Sequence, residues 1–169
     1  MIKLMHSSHF SRPAAIACIR GGEEYPSISG TVSFYPLQNG LIVSVNIQGL
    51  PTKEREREFF AFHIHEGGSC TGSDFSDTGP HFDLHHNQHP YHTGDLPPLL
   101  AENGRACMDF WTAHIRIRDI LGRTVVIHEH ADDMSTQPSG NAGKKIACGV
   151  ILRNCCRGQA AGVLPCICA

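Results

Sequence analysis

The sequence predicts an all-β domain built as an antiparallel sandwich or barrel. Three observations support this fold class: short runs of alternating apolar and polar residues, turn signals between these runs, and no convincing amphipathic helical pattern. The pairs Asn39–Gly40 and Asn103–Gly104 are strong signals of β-hairpin turns. Many short strands separated by such turns are typical of sandwiches and barrels.

Eight short strands are predicted along the chain. The clearest begins at Leu41 and ends at Gln48, because Leu41, Val43, Val45 and Ile47 alternate along it and share one face, with Ser44 and Asn46 on the other. The predicted strands are Ala14 to Arg20, Ile28 to Tyr35, Leu41 to Gln48, Glu58 to His65, Leu99 to Leu100, Arg105 to Phe110, Thr124 to His128, and Ile146 to Arg153. Two connections, Glu66 to Gly94 and Glu129 to Lys145, are too long for simple turns, and long ordered loops are usually functional.

Composition and charge favour a single globular domain that does not bind nucleic acid. The net charge of −2 and the absence of a basic run argue against a nucleic-acid partner. No apolar run approaches the roughly 20 residues of a membrane span, and no signal peptide is evident, so we expect a cytoplasmic protein. We divide the chain into a flexible arm (1–12), one β domain (13–153) and a cysteine-rich tail (154–169).

Histidines are concentrated between Ala61 and Asp95, where seven of the twelve in the chain occur. Packing does not require this, whereas neutral imidazole is the commonest metal ligand. His63 and His65 are two residues apart on a predicted strand, so both side chains point to one face, and His128 lies near the end of another strand. The loop adds three imidazoles and a carboxylate, a set that zinc prefers, from His81, His89, His92 and Asp95.

An all-nitrogen ligand set, in contrast, suits copper. The histidines that lie on the predicted strands form a set of this kind, without sulfur. These residues therefore predict at least one metal site. By themselves they leave open the number of metal ions and the reaction.

Five segments of the chain resemble the linked motifs of the copper/zinc superoxide dismutase family. They are AFHIHEGG, GPHFD, HPYHTGDL, VVIHEHADD and GNAGKKIACGVI, in matching order and spacing from roughly Ala14 to Leu152. The resemblance implies an eight-stranded Greek-key β-sandwich or barrel with two long functional loops. It also implies conversion of superoxide to oxygen and hydrogen peroxide by copper redox cycling, with a structural zinc ion.

The resemblance assigns roles to individual residues of this chain. The implied copper ligands are His63, His65, His81 and His128. The implied zinc ligands are His81, His89, His92 and Asp95. His81 would belong to both sites and carry a proton during the cycle, Asp132 would hold the second ring nitrogens of His63 and His89, and Cys70 and Cys148 would form a disulfide.

The chain departs from the family pattern at Lys145, where the family has an arginine that guides and docks the anion. Lys145 and the preceding Lys144 keep the positive charge, so electrostatic steering is expected to survive. Lysine lacks the planar fork that can hold an anion with two bonds, so we expect lower activity than in an arginine enzyme. The alternative is that both lysines are ordinary surface charges.

Several other histidines and cysteines near these motifs are interpreted without a functional role. We interpret three histidines as solvated loop residues rather than alternative ligands: His85, His86 and His130. Cys18 and Cys107 are interpreted as ordinary buried thiols.

The C-terminal tail has no counterpart in a simple dismutase. It contains four cysteines: Cys155, Cys156, Cys166 and Cys168. The terminal Cys-x-Cys is similar to the copper-delivery segment of copper chaperones, and thiolates favour Cu(I). One hypothesis is therefore that the tail captures Cu(I) and loads the site in cis; the alternative is an unstructured tail or one closed by adventitious disulfides.

Two functions are consistent with these features. The first is a superoxide dismutase, and the second is a copper-handling protein, either a chaperone or a store, on a dismutase fold. The complete set of implied copper ligands favours the enzyme. Besides superoxide, the partners considered are a second copy of the chain and a copper donor.

Overall fold

The computed structural model describes residues 12–52 and 56–154 of the chain. Nearly all of the predicted N-terminal arm (1–12) and of the cysteine-rich tail (154–169) lies outside the described residues. The described elements are β1 (Ala15–Gly21), β2 (Ser29–Leu37), β3 (Gly40–Gln48), β4 (Arg57–Phe60), β5 (Phe62–His65), a 3₁₀ turn (Ser76–Thr78), β6 (Leu99–Glu102), β7 (Arg105–Thr112), the one-turn helix α1 (Ile117–Ile120), β8 (Thr124–His128) and β9 (Lys145–Arg153).

All of these strands belong to one antiparallel sheet. Their order is β4-β6-β7-β3-β2-β1-β9-β8-β5. Strands β1, β2 and β3 follow each other as hairpins, whereas β3 pairs with β7 and β1 pairs with β9. Such pairing between strands that are distant in the chain is the mark of Greek-key connections. The predicted all-β fold class is confirmed.

The number of strands differs from the prediction because one predicted strand is divided. The run from Glu58 to His65 is interrupted at Ala61, so nine strands are present in the described chain instead of eight. Its two halves, β4 and β5, lie at opposite ends of the strand order. A single residue joins them, and the sheet must therefore curl until its two ends meet.

Ala61, the residue between β4 and β5 at the two ends of the nearly closed sheet, hydrogen-bonds to the end of β8. The backbone N–H of His128 donates to the carbonyl of Ala61 at 2.9 Å, and the N–H of Ala61 donates to the carbonyl of His130 at 2.8 Å. These bonds continue the pairing of β5 with β8 by one residue and satisfy both backbone polar groups of Ala61. We call this place the barrel seam. It joins the end of β8 to the start of β5.

The core confirms the alternation predicted for β3, where the apolar residues are at most 2% exposed and point inward: Leu41, Val43, Val45 and Ile47. Four fully buried phenylalanines fill the interior: Phe34, Phe60, Phe62 and Phe82. Burying a side chain of this size contributes about 1.5–3 kcal/mol relative to exposing it. The sheet is therefore a firm scaffold for the loops that it carries.

The two Asn-Gly signals have different outcomes. Asn103 and Gly104 connect β6 to β7 with φ angles of 51° and 73°, as a two-residue hairpin turn of the type I′ class requires, so this prediction is confirmed. In the first hairpin, Leu37 pairs with Gly40, so the loop consists of Gln38 and Asn39. That turn lies one residue earlier than predicted.

Long connections follow β5, β7 and β8. The two that follow β5 and β8 were predicted, whereas the third, residues 113–123, was not, and it contains α1. Across the two described ranges, no helix has the length and apolar character needed to cross a bilayer.

The predictions for the cysteines are confirmed only in part. Cys70 and Cys148 form a disulfide across 78 residues of sequence, as the resemblance implied. Cys107 is a free thiol but is exposed, and Cys18 is disulfide-bonded. The interpretation of both as buried thiols is therefore wrong. The physical reason is strand parity, since Cys107 follows buried Ala106 and so lies on the outward face of β7.

Removing the Cys70–Cys148 disulfide should lower the free energy of unfolding by about 4 kcal/mol, because the unfolded chain regains the freedom of a long closed loop. The change is the double variant Cys70→Ala/Cys148→Ala, and the measurement is equilibrium unfolding in urea. Cys107→Ser is the matched control, since this exposed thiol should change stability by less than about 0.5 kcal/mol. A double variant within about 1 kcal/mol of the parent protein would contradict the prediction.

Candidate metal centre

Four imidazoles converge at the barrel seam. Their ligand nitrogens all lie within 4.8 Å of one another, and the side chains come from β5, from the end of β8 and from the loop after β5: His63, His65, His81 and His128. We call these residues the four-histidine group. Pairing of β5 with β8 aligns His63 with Val126 and so brings the neighbouring His128 close. A backbone bridge between His65 and His81 adds the loop histidine.

A second group lies beside the first and consists of three imidazoles and a carboxylate: His81, His89, His92 and Asp95. We call it the three-histidine–aspartate group. Its ligand atoms also lie within 4.8 Å of one another. Asp95 is central, since Nδ1 of His81 lies 2.8 Å from its Oδ1, and Nδ1 of His89 and of His92 each lie 3.2 Å from its Oδ2. A backbone bridge between His63 and Asp95 fixes the position of this group against β5.

His81 belongs to both groups, one through each ring nitrogen. Its Nδ1 faces Asp95, while its Nε2 is buried and has no hydrogen-bond partner among the described residues. The ring centroids of His63 and His81 are only 4.0 Å apart. The two groups are therefore parts of one centre that shares a single imidazole.

The unsatisfied nitrogens of these histidines test whether the centre fits metal ions. Within the described chain, five buried side-chain nitrogen or oxygen atoms lack a hydrogen-bond partner, and four of them are ring nitrogens of the two groups: His63 Nδ1, His81 Nε2, His89 Nδ1 and His92 Nδ1. The last two lie 3.2 Å from Asp95 Oδ2 but without the geometry of a hydrogen bond. A buried polar atom without a partner costs free energy. Coordination of a metal by these lone pairs would offset that cost, so the donor set fits metal ions.

Hydrogen bonds from outside the groups fix which nitrogen faces inward in three of the rings. The Nε2 of His63 lies 2.8 Å from Asp132 Oδ2, and the Nε2 of His89 lies 2.9 Å from Asp132 Oδ1. The Nδ1 of His65 lies 2.8 Å from the carbonyl of Gly79. A ring that donates its proton to such an acceptor presents the lone pair of its other nitrogen, which is how ligand histidines are oriented in metal sites.

Burial favours the neutral form of three histidines in the four-histidine group: His65, His81 and His128. It lowers the pKa of His65 to about 2 and that of His128 to about 3, and it also lowers the pKa of His81. The opposite holds for the carboxylate. Burial opposes the ionisation of Asp132, but hydrogen bonds, first of all from His63, outweigh this effect and hold its pKa below the ordinary value. Metal ligation requires neutral imidazoles, and an ionised Asp132 can accept the ring protons of His63 and His89.

Lys145 lies at the start of β9, and its ammonium group contacts the loop that precedes His81. It donates to Thr78 Oγ1 at 2.7 Å, to the carbonyl of Gly79 at 3.1 Å and to the carbonyl of Phe75 at 3.3 Å. A lysine has three N–H donors, so all of them are in use. Its neighbour Lys144 is exposed and lies 3.3 Å from Glu24.

The remaining predicted residues lie apart from the centre. His85, His86 and His130 are exposed, and none of them joins either group. The four tail cysteines lie outside the described residues.

Two residues of the loop after β8 belong to the surroundings of the site but were not predicted from the sequence. They are Gln137 and Gly140, which contact His89 and its partner Asp132. No local signal in the sequence marks a glutamine for such a contact. A glycine can be suspected of a close approach but not assigned a partner.

Comparison with known proteins agrees with this geometry. Residues 28–151 match the family model described as copper/zinc superoxide dismutase. The chain is 34% identical over 144 residues to a Cu-Zn superoxide dismutase of Deinococcus radiodurans, covering 73% of this chain and 76% of that protein. It is 30% identical over 168 residues to the copper chaperone for superoxide dismutase of Rattus norvegicus, covering 91% of this chain and 58% of that protein.

A solved structure shows the same fold. The crystal structure of a double mutant of a SOD-like protein from Bacillus subtilis superposes with a TM-score of 0.71 at 28% identity, covering 81% of this chain and 96% of that one. The relatives thus include a dismutase, a copper chaperone and a SOD-like protein. The family model spans most of the chain and includes every residue of both ligand groups, so the chain belongs to the copper/zinc superoxide dismutase family.

Proposed function

We propose that this chain is a superoxide dismutase that uses copper and zinc. The observation that carries the proposal is the complete pair of ligand groups that share His81. A protein that kept the fold without binding metal would not need these buried imidazoles, of which His63 and His81 each keep a ring nitrogen without a hydrogen-bond partner in the described chain. Membership of the family supports the same reaction.

The four-histidine group would hold copper, and the three-histidine–aspartate group would hold zinc. When bound, copper supplies the one-electron redox chemistry that converts two superoxide anions and two protons into oxygen and hydrogen peroxide, and zinc supplies a fixed positive charge. Asp132 and the carbonyl of Gly79 orient the rings that they contact. His81 can hold at Nε2 the proton that peroxide formation requires, because this atom has no other partner in the described chain.

Lys145 would attract the anionic substrate to this centre. Besides burial, its positive charge is among the causes that lower the pKa of His65 and of His128, so the charge acts on the four-histidine group. Since its three donors are bound to the loop, it would act through its charge rather than through a hydrogen bond to the anion.

Replacing His128 by alanine should lower superoxide dismutation by at least roughly 100-fold, because the copper group loses one imidazole and keeps three. The measurement is the dismutation rate of metal-reconstituted protein. Zinc content should stay near that of the parent protein, since His128 is absent from the zinc group. His130→Ala is the matched control, because this exposed histidine lies two residues away and joins neither group. Parent-level activity in His128→Ala would refute the copper assignment.

Lys145→Arg should raise kcat/KM for superoxide by about fivefold, or roughly 1 kcal/mol. Arginine has five N–H donors, so three can replace the bonds that lysine makes to the loop and two remain for the anion. Pulse-radiolysis rates at low ionic strength measure the effect. Lys144→Arg, at the exposed neighbour, is the control and should leave the rate unchanged. A slower Lys145→Arg variant would contradict the expectation that spare N–H donors at this position improve anion docking.

A copper-handling role is the second candidate, favoured by the similarity to the rat copper chaperone and by the four cysteines of the tail. Under this hypothesis the tail captures Cu(I) and passes it to the four-histidine group.

If the tail delivers copper, deleting residues 155–169 should reduce copper occupancy by roughly tenfold when the protein is expressed at limiting copper, because the thiolates that favour Cu(I) are gone. Copper and zinc per chain, counted by mass spectrometry, give the result. The control is the same deletion loaded with excess copper, which should be fully occupied. Unchanged loading at limiting copper would reject the delivery role and leave the dismutase proposal intact.

A further inference from the structure

The loop between β8 and β9 contacts His89 in a way that ligand assignment alone does not explain. Asp132 hydrogen-bonds to the ring of His89. Gln137, from the same loop, hydrogen-bonds to the backbone of His89. Gly140 packs against the contact between the His89 ring and Asp132. The loop thus holds one ligand of the three-histidine–aspartate group at three separate points.

Gln137 binds the backbone of His89 through both ends of its side-chain amide. Its Oε1 accepts from the N–H of His89 at 3.1 Å, and its Nε2 donates to the carbonyl of His89 at 2.7 Å. One side chain therefore satisfies both polar groups of that residue's backbone, as a neighbouring strand would do. These two bonds fix the position of His89 along the loop, whereas Asp132 fixes the rotation of its ring.

Gly140 packs directly over the hydrogen bond between Asp132 and His89. A Cβ atom at this position would overlap Oδ1 of Asp132 and lie 2.7 Å from Nε2 of His89. Its φ of +65° is in the left-handed region, which glycine adopts without strain. The turn is held by two backbone bonds, from the N–H of Gly140 to Thr136 at 2.7 Å and from the N–H of Asp133 to Gly140 at 2.9 Å.

We propose that residues 132–140 form a clasp on His89, in which Gln137 and Gly140 are positioning residues that set how tightly the three-histidine–aspartate group retains zinc. The inference rests on the proposed function in taking this group as the zinc site. Neither residue offers an atom to the metal. They act through His89, by holding its backbone and by shielding its bond to Asp132.

The first test replaces Gln137 by alanine. Zinc affinity should fall by about tenfold, the lower end of the effect seen when partners of metal ligands are removed. It is measured by chelator competition on the full-length chain loaded with zinc alone. Gln88→Ala is the matched control, since this exposed glutamine precedes His89 and should leave zinc affinity unchanged. The visible spectrum of Co²⁺ in the zinc site should shift in Gln137→Ala and not in Gln88→Ala.

The second test disturbs the same clasp from its other side. Gly140→Ala should lower zinc affinity by at least as much as Gln137→Ala, because the methyl group would displace Asp132 from His89. Gly122→Ala is the matched control. Its φ is +80°, so the backbone strain is similar, but a Cβ there would meet nothing within 4 Å. Circular dichroism verifies that each variant is folded.

The outcomes separate the clasp from the proposed function. Parent-like zinc affinity and Co²⁺ spectrum in Gln137→Ala would overturn the clasp, whatever the enzymatic activity. A parent protein that binds one zinc ion per chain but does not dismutate superoxide would overturn the proposed function and leave the clasp to be decided by the zinc data. A parent protein that binds no zinc would overturn both.

Discussion

The carboxylate of Asp132 is the contact on which the order of both ligand groups depends. Its side chain is only 2% exposed, and a charge buried to this degree is costly unless it is compensated. Compensation comes from His63 on one oxygen and from His89 on the other, with the N–H of Met134 as a further donor. His63 and His89 belong to different groups. By binding Nε2 of both rings, this one carboxylate leaves Nδ1 of His63 for the four-histidine group and Nδ1 of His89 for the three-histidine–aspartate group. Disturbing it would therefore affect both groups at once.

Contacts between the sheet and the loop that precedes His81 restrict the motion of the ligands. Strand β9 holds this loop at two places, through the disulfide of Cys148 with Cys70 and through the ammonium group of Lys145. The carbonyl of Gly79, which accepts from Lys145, also accepts from His65. A buried strand, a loop carbonyl and a ligand ring thus form one connected path. Each link is short, so little freedom remains for the ring of His65.

Local sequence patterns predicted part of this architecture, and contacts between distant segments of the chain determine the rest. The spacing of His63 and His65 on a strand was sufficient to place both rings on one face, because strand periodicity is a local property. The break at Ala61 could not be read from the sequence, since neither glycine nor proline marks it and only closure of the sheet requires it. Asp132 was identified through family resemblance, because a carboxylate near two histidines has no fixed spacing. The contact of Gln137 with His89 depends on how two loops fold against each other, which no local pattern encodes.

The barrel seam at Ala61 has a consequence for how the protein opens. The backbone of Ala61 bonds to His128 and His130, and the nearby ligands His63 and His65 lie on the β5 side of the seam while His128 lies on the β8 side. Any ion bound by all three rings spans the seam. Separating the two sides therefore removes ligands from the ion, and binding of the ion opposes separation by the same free energy. Separation of β5 from β8 and release of the ion are thus thermodynamically linked.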